Sequence, residues 1–343
     1  MREVKTVNLV LDSYGSYLSA EKGCIIFRDA KRKEKRYSLV ESELGEVVLK
    51  SGSVVTTGAL SALSLWGVPV LIMSRGDRPI AILKNLEDDS HVSTRIAQYE
   101  AINNGRGITF AKKIVYAKAL GQNQILKKYG LRQHDLMSIK ENVEKEAGDL
   151  ASIRIRLMII ESHYSKNYFH EIFKLSPEFL RPEKRKTFNA YDEMNNLFNF
   201  GYELLFWKCY KALTRAHLET HLGFLHSLVL ARPSLVCDYE ECFRYLVDDF
   251  LIGYAGKLTP KDFRARTLVF DGKRAKRMYL TESKTDDLME KLLKYFSSKV
   301  NVPRTGRGHS QEIESLINEE AFLLARYFRN EKGDWIPRVV TLS

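Results

Sequence analysis

Lys84-Asn-Leu-Glu-Asp-Asp-Ser-His91 divides the chain into two kinds of sequence. Before this polar octet, apolar residues come in short runs broken by turn residues. After it they recur every three or four positions. The first pattern is that of β-strands and the second that of helices. The octet therefore predicts an α+β protein: an N-terminal β-sandwich or roll over residues 1–84, a linker over 85–95, and a larger all-α domain over 96–343.

The strand readings are Val7-Asn-Leu-Val-Leu-Asp12, Tyr17-Leu-Ser-Ala-Glu21, Cys24-Ile-Ile-Phe27, Tyr37-Ser-Leu-Val40, Glu46-Val-Val-Leu49, Ser53-Val-Val-Thr-Thr57, Val68-Pro-Val-Leu-Ile-Met73 and Pro79-Ile-Ala-Ile-Leu83. Turns at Ser13-Tyr-Gly-Ser16 and Lys22-Gly23 separate the first of them. Basic Lys31-Arg-Lys-Glu-Lys-Arg36 reads as a hairpin loop, and Gly58 to Trp66 as one inserted helix. Beyond Thr94, Ile96, Tyr99 and Ile102 open a helical pattern that Ile108, Ala111, Val115 and Ala119 continue. Further helices are expected over 137–151, 153–173, 195–218, 234–250, 285–299 and 311–329. Arg181-Pro-Glu-Lys-Arg-Lys186 and Val302-Pro-Arg-Thr-Gly-Arg-Gly308 read as loops.

A chain of 343 residues is too long for one small core, which agrees with two domains. Apolar residues at 44% against 28% charged exclude a disordered chain. The excess of 54 Lys and Arg over 43 Asp and Glu, a net charge of +11, favours nucleic acid or another polyanion as partner. A basic protein without a polyanion ligand is the plain alternative. The four cysteines form no CxxC pair, and Cys237 and Cys242 match no zinc spacing, so they read as free thiols in a reducing compartment. No apolar run approaches a membrane span, and Met1-Arg-Glu-Val-Lys-Thr-Val7 has no signal-like apolar core, so a cytoplasmic protein is expected.

Chemistry concentrates in three apolar stretches. Leu157, Ile160, Tyr164, Tyr168 and Ile172 mark one helical face, and Glu161 belongs to it. A carboxylate there is either paired with an arginine or functional. Asp238 and Glu241 are one turn apart in Arg232-Pro-Ser-Leu-Val-Cys-Asp-Tyr-Glu-Glu241. They form a solvated acidic face or share a cation. Arg244, three residues on, partly neutralises them or contacts phosphate. His226, in Leu222-Gly-Phe-Leu-His226, is a core or capping histidine unless the turn at Arg232-Pro-Ser234 carries it to Glu241. A divalent cation is the simplest single partner for the set, and imidazole with carboxylates suits Mn²⁺ or, with added waters, Mg²⁺. Between Lys257 and Arg277 eight Lys and Arg interleave with Phe263 and Phe270, which fits either a nucleic-acid groove or a solvated loop. Arg181, Lys184, Arg185 and Lys186 form a second candidate phosphate contact.

Several motifs occur in an order that resembles the CRISPR-associated integrase of spacer acquisition, the first-numbered Cas protein family. They are Leu11-Asp-Ser-Tyr-Gly-Ser-Tyr-Leu18, Gly67-Val-Pro-Val-Leu-Ile-Met-Ser-Arg-Gly76, Ala117-Lys-Ala-Leu-Gly-Gln-Asn-Gln124, Asn195-Asn-Leu-Phe-Asn-Phe-Gly-Tyr202, Leu222-Gly-Phe-Leu-His226, and Arg232 to Arg244. The resemblance covers nearly the whole chain. It implies that Glu161, His226 and Glu241 hold Mg²⁺ or Mn²⁺, that Asp238 is an auxiliary acidic residue, and that Arg244 contacts phosphate. Where the family has Glu-Gly-x-x-Ala-x-x-Tyr, this chain has Ser162 and Ser165 for the small residues and keeps Tyr168. Such changes are expected to preserve packing.

The implied activity is DNA cleavage and joining by attack of a 3′-hydroxyl on a phosphodiester, inserting spacers into a CRISPR array in antiviral defence. The implied active site lies in the helical domain. The implied partners are double-stranded and branched DNA, a second copy bound through the β-domain, and a small ferredoxin-like CRISPR-associated subunit. Two alternatives stand beside it: a structure-specific metal-dependent nuclease acting on branched DNA in repair, and a basic DNA-binding scaffold whose acidic cluster is only structural.

Overall fold

The structure is a computed structural model that describes residues 7–39, 44–74, 79–83, 92–227, 232–270, 273–303 and 309–342. It divides into two compact units, Met1–His91 and Val92–Ser343. The expected linker over 85–91, the loop over 304–308, and the ends of two expected motifs at Val40 and at Arg75 and Gly76 lie outside the described residues.

The first unit is built from β1 (Val7–Leu11), β2 (Tyr17–Glu21), β3 (Cys24–Arg28), β4 (Glu34–Ser38), β5 (Leu44–Leu49), β6 (Val54–Val55), α1 (Thr57–Leu65), β7 (Val70–Met73) and β8 (Pro79–Leu83). Two four-stranded sheets result, in the orders β1-β5-β7-β8 and β4-β3-β2-β6. Strands β1, β5 and β7 run parallel, so β5 and β7 need a crossover, and α1 supplies it. Thr56 caps this helix, its hydroxyl accepting the Ala59 N–H at 3.2 Å. Leu11, Leu18, Ile25, Val47, Leu63 and Val70 are fully buried and join sheets and helix in one core. The basic run read as a loop is partly strand. Glu34 opens β4 and pairs with Arg28 and Arg36 at 3.0 Å each, and this neutralisation admits the basic run to a sheet.

The second unit contains α2 (Val92–Glu100), α3 (Arg106–Lys128), α4 (Leu136–Lys145), α5 (Leu150–Phe173), α6 (Glu193–Arg215), α7 (Ser234–Glu240), α8 (Arg244–Ala255), β9 (Phe263–Phe270), β10 (Lys273–Leu280), α9 (Glu282–Phe296), β11 (Lys299–Val302), β12 (His309–Glu312) and α10 (Ile313–Phe328). It is largely helical, but the expectation of an all-α domain is corrected by the antiparallel hairpins β9–β10 and β11–β12. The register runs from Phe263 opposite Leu280 to Phe270 opposite Lys273, a pairing that the density of basic residues obscured. Asn196 of α6 anchors the hairpin by donating to Met278 O at 2.8 Å.

Three boundaries also differ. Residues 92–95 belong to α2 and not to a linker. Buried Gln98 of that helix donates to Glu219 O and Leu222 O at 3.0 and 3.2 Å and ties it to the unit. The helix expected over 137–151 ends at Lys145, because Gly148 turns at φ +129° and Asp149 caps α5 at Ser152. The helix expected over 234–250 breaks after Glu240. Phe243 N–H returns to Glu240 O at 2.9 Å, a tighter turn that starts α8 afresh.

Helix α3 runs through the core of this unit with α4, α5 and α8 packed on it. Its Gly121 lies so near Tyr245 of α8 that a Cβ there would come within 2.5 Å of the ring. That close approach sets the depth from which the next side chains project.

Candidate active site

Lys118 projects from α3, Glu161 from α5, and Glu241 from the turn between α7 and α8. The ammonium of Lys118 contacts Glu161 Oε1 and lies 2.8 Å from Glu241 Oε2. The two carboxylates thus converge on a single cationic position. Ser165, one turn beyond Glu161, donates to Glu161 Oε1 at 2.7 Å and accepts from Gln122 Nε2 of α3 at 3.3 Å. The serine that sequence reading treated as a packing change also orients the carboxylate.

Arg244 closes the other side. It donates to Glu241 Oε1 at 2.5 Å and contacts Glu240 Oε1, and its guanidinium stands 4.8 Å from the Tyr202 ring centroid. Tyr202 and Tyr168 in turn donate to buried Asp248 at 2.5 and 2.6 Å. Arg244, expected at a phosphate, has both arms on protein carboxylates.

These charges act against burial. Burial disfavours the Lys118 ammonium, but Glu161 and Glu241 outweigh it and hold its pKa above the ordinary value. Burial likewise disfavours ionised Glu241, yet Arg244 and Lys118 bring it down to about 2. For Glu240 burial prevails over Arg244 and raises it to about 7. Glu240 Oε2 has no hydrogen-bond partner.

His226 is held from beneath. Asp238 Oδ2 accepts the N–H groups of Phe224 and Leu225 at 2.6 and 2.9 Å, and its Oδ1 accepts the N–H of His226 at 2.7 Å. The same Oδ1 is 2.7 Å from His226 Nδ1. From the other side Arg154 of α5 donates to Phe224 O at 2.7 Å and Gly223 O at 2.6 Å. Burial lowers the imidazole pKa, and Asp238 with Glu241 more than restores it. Asp238 is therefore the anchor of the histidine segment, with both oxygens occupied, and Nε2 is the nitrogen left for a ligand.

The fold thus brings Glu161, Glu241, Arg244 and Lys118 into direct contact, with His226 close enough to Glu241 for each to shift the other's pKa. Among the described residues, no group of three or more His, Cys, Asp or Glu is gathered closely enough to hold a metal ion as it stands. The donor chemistry nonetheless fits a divalent cation. Two carboxylates share one cation position, with Glu161 Oε1 and Glu241 Oε2 both turned to the Lys118 ammonium.

Sequence reasoning missed Lys118 as a member of the site. The available signal was a lysine on the apolar stripe of α3, four residues after Ile114 and three after Val115. Arg185, expected at phosphate, is internal: its guanidinium lies 5.3 Å from the Tyr202 centroid and donates to Asn199 Oδ1 at 2.6 Å. On β9–β10, Arg266 is exposed and lies over Tyr279 at 5.8 Å, with Arg277 over the same ring at 5.1 Å. No described helix is long and apolar enough to cross a membrane, and all four cysteines are free.

The chain has clear relatives. CRISPR-associated endonuclease Cas1 2 of Pyrobaculum aerophilum is 30% identical over 255 residues, covering 74% of this chain and 84% of its own length. A casposase bound to integration product superimposes with a TM-score of 0.73 at 21% identity, over 95% of this chain and 92% of that one. A Cas6-RT-Cas1–Cas2 complex also gives 0.73, at 20% identity, over 99% of this chain and 37% of that one. Both structures share the fold. The family described as CRISPR associated protein Cas1 matches residues 9–296, and this chain belongs to that family.

Proposed function

We propose that this chain is a divalent-metal-dependent DNA endonuclease and strand-transfer integrase that inserts short foreign fragments into a CRISPR array in antiviral defence. The observation that carries the reading is the convergence of Glu161 and Glu241, from separate elements, on one cation position. Glu161, Glu241 and His226 would hold Mg²⁺ or Mn²⁺, a set of hard oxygens and imidazole suited to either. When bound, that cation supplies Lewis-acid polarisation of a phosphate oxygen and stabilises the charge that develops on it.

The chain's own groups prepare the site for that load. Arg244 keeps Glu241 ionised. Ser165 fixes Glu161, and Asp238 fixes the histidine through Nδ1. The nucleophile is a DNA 3′-hydroxyl: its oxygen forms the new P–O bond as another 3′-hydroxyl leaves, so no protein nucleophile is required. Partners in this reading are double-stranded and branched DNA, a second copy of the chain joined through the β-unit, and a small ferredoxin-like CRISPR-associated subunit. The likeness to a casposase bound to integration product and to a Cas1–Cas2 complex supports DNA and a Cas partner.

A strand-transfer assay with a labelled duplex, a supercoiled target and Mn²⁺ tests the reading. Joined product that disappears in Glu161→Ala, in His226→Ala and in EDTA is the expected result. DNA binding without joining or cutting under Mn²⁺ or Mg²⁺, with the partner subunit present, would overturn it. Cutting of branched DNA without joining would point to a repair nuclease instead.

A further inference from the structure

Lys118 occupies the place that the proposed function gives to a metal ion. Its ammonium stands between Glu161 and Glu241 and is nine-tenths buried. A buried charge of this kind is costly unless compensated, and here the compensation comes from the two carboxylates on which the metal reading depends.

We propose that Lys118 is the resident cation of the metal-free site, a positioning residue whose ammonium holds Glu161 and Glu241 in place until a divalent ion displaces it. The inference rests on the reading of Glu161, His226 and Glu241 as the metal-holding residues.

Three observations support displacement over coexistence. The first is charge. Lys118 and Arg244 face three carboxylates, those of Glu161, Glu240 and Glu241. A divalent ion added beside both would set four positive charges against these three carboxylates in a largely buried place. Departure of the ammonium brings the positive charges down to three.

The second is geometry. Lys118 lies 2.8 Å from Glu241 Oε2, an oxygen with no other polar partner among the described residues, so departure of the ammonium frees that oxygen for another cation.

The third is support. Ser165 on Glu161 and Arg244 on Glu241 Oε1 keep both carboxylates oriented once the ammonium leaves. The α3 backbone is fixed beside Lys118, where Tyr164 donates to Val115 O at 2.7 Å and Tyr245 packs on Gly121. The flexible four-carbon stem of the lysine is the part free to move.

Mn²⁺ binding, read by electron paramagnetic resonance of the free ion, tests this without reference to activity. The wild type, Lys118→Met and Glu161→Gln are compared. Lys118→Met is expected to bind Mn²⁺ about tenfold more tightly than the wild type, because no ammonium competes, and Glu161→Gln to lose binding. Equal or weaker binding by a folded Lys118→Met, with the wild type binding and Glu161→Gln not, would overturn the role of Lys118 and leave the metal reading standing. Absence of binding in the wild type, or binding undiminished by Glu161→Gln, would remove both.

A measurement on the wild type alone covers the case in which Lys118→Met does not fold. Acetylation of Lys118 by an amine-reactive ester, followed by peptide mass spectrometry, is expected to quicken several-fold at saturating Mn²⁺ over EDTA. Exposed Lys166 serves as the internal standard. An unchanged ratio of the two lysines would contradict displacement.

Discussion

Asp238 Oδ1 receives both the backbone N–H and the Nδ1 of His226, each at 2.7 Å. One oxygen thereby fixes the path of the chain at the histidine and the direction of its ring, while Oδ2 takes the preceding two N–H groups. A carboxylate read from sequence as part of the reactive cluster proves to be the floor on which the cluster's imidazole rests.

Asp238→Ala should therefore cost stability as well as activity. It leaves two buried backbone donors and one part-buried donor without an acceptor, a loss of roughly 3 kcal/mol. It also leaves burial as the leading influence on the imidazole, so the His226 pKa should fall. Urea denaturation reads the first effect and a proton NMR titration of His226 the second. A stable variant with an unmoved His226 titration would refute the anchoring role.

Glu240 and Glu241 should give opposite pH dependences. Glu240 is raised in the folded protein from the ordinary 4.5 to about 7. The folded state therefore binds the extra proton between those values. Its contribution is fully present below 4.5 and lost as pH rises through about 7, by roughly 3 kcal/mol. Glu240→Gln should remove that loss, gaining on the wild type over this window. Glu241 is lowered from 4.5 to about 2, so its contribution is present above 4.5 and lost as pH falls toward 2. Glu241→Gln should flatten the acid limb. Denaturant midpoints from about pH 3 to about pH 8 check both slopes. Parallel slopes for the two variants would contradict the assignment.

Arg185 and Arg266 should separate structure from DNA contact. Arg185 lies among the rings of Phe169, Phe198 and Tyr202 at 5.7, 5.9 and 5.3 Å. Arg185→Ala should lower stability by about 2 kcal/mol and leave the salt dependence of DNA binding unchanged. Arg266 on the β9–β10 hairpin is exposed, and Arg266→Ala should be as stable as the wild type and reduce the salt slope by about 1. Fluorescence anisotropy across a salt series measures the slopes. A changed slope for Arg185→Ala would put that guanidinium back at the phosphate backbone.

Much of the fold was legible because periodicity is local. The change of period at Lys84–His91 already separated strand-forming from helix-forming sequence. The stripe Leu157, Ile160, Tyr164 and Tyr168 already put Glu161 on a buried face of α5. Hairpin β9–β10 escaped because its strands are dense in arginine and lysine, which also read as solvated loop. The break between α7 and α8 escaped because Glu240 and Glu241 lie within one continuous apolar pattern, in which the tighter turn from Phe243 N–H to Glu240 O leaves no mark.

Motif order made Glu161, His226, Asp238 and Glu241 candidates for one cation site, but did not show which protein groups answer their charges. Periodicity states which face of a helix is buried and is silent on what buries it. Lys118 meets Glu161 across 43 positions of sequence, and Arg185, in the segment before α6, meets aromatic rings on α5 and α6. Such pairings are chosen by the packing of α3, α5 and α6 around one core, where a buried charge stays only beside a group of opposite sign or a ring face. Chain order thus determined the division into units and which polar residues are submerged, and tertiary packing decided which charge answers which.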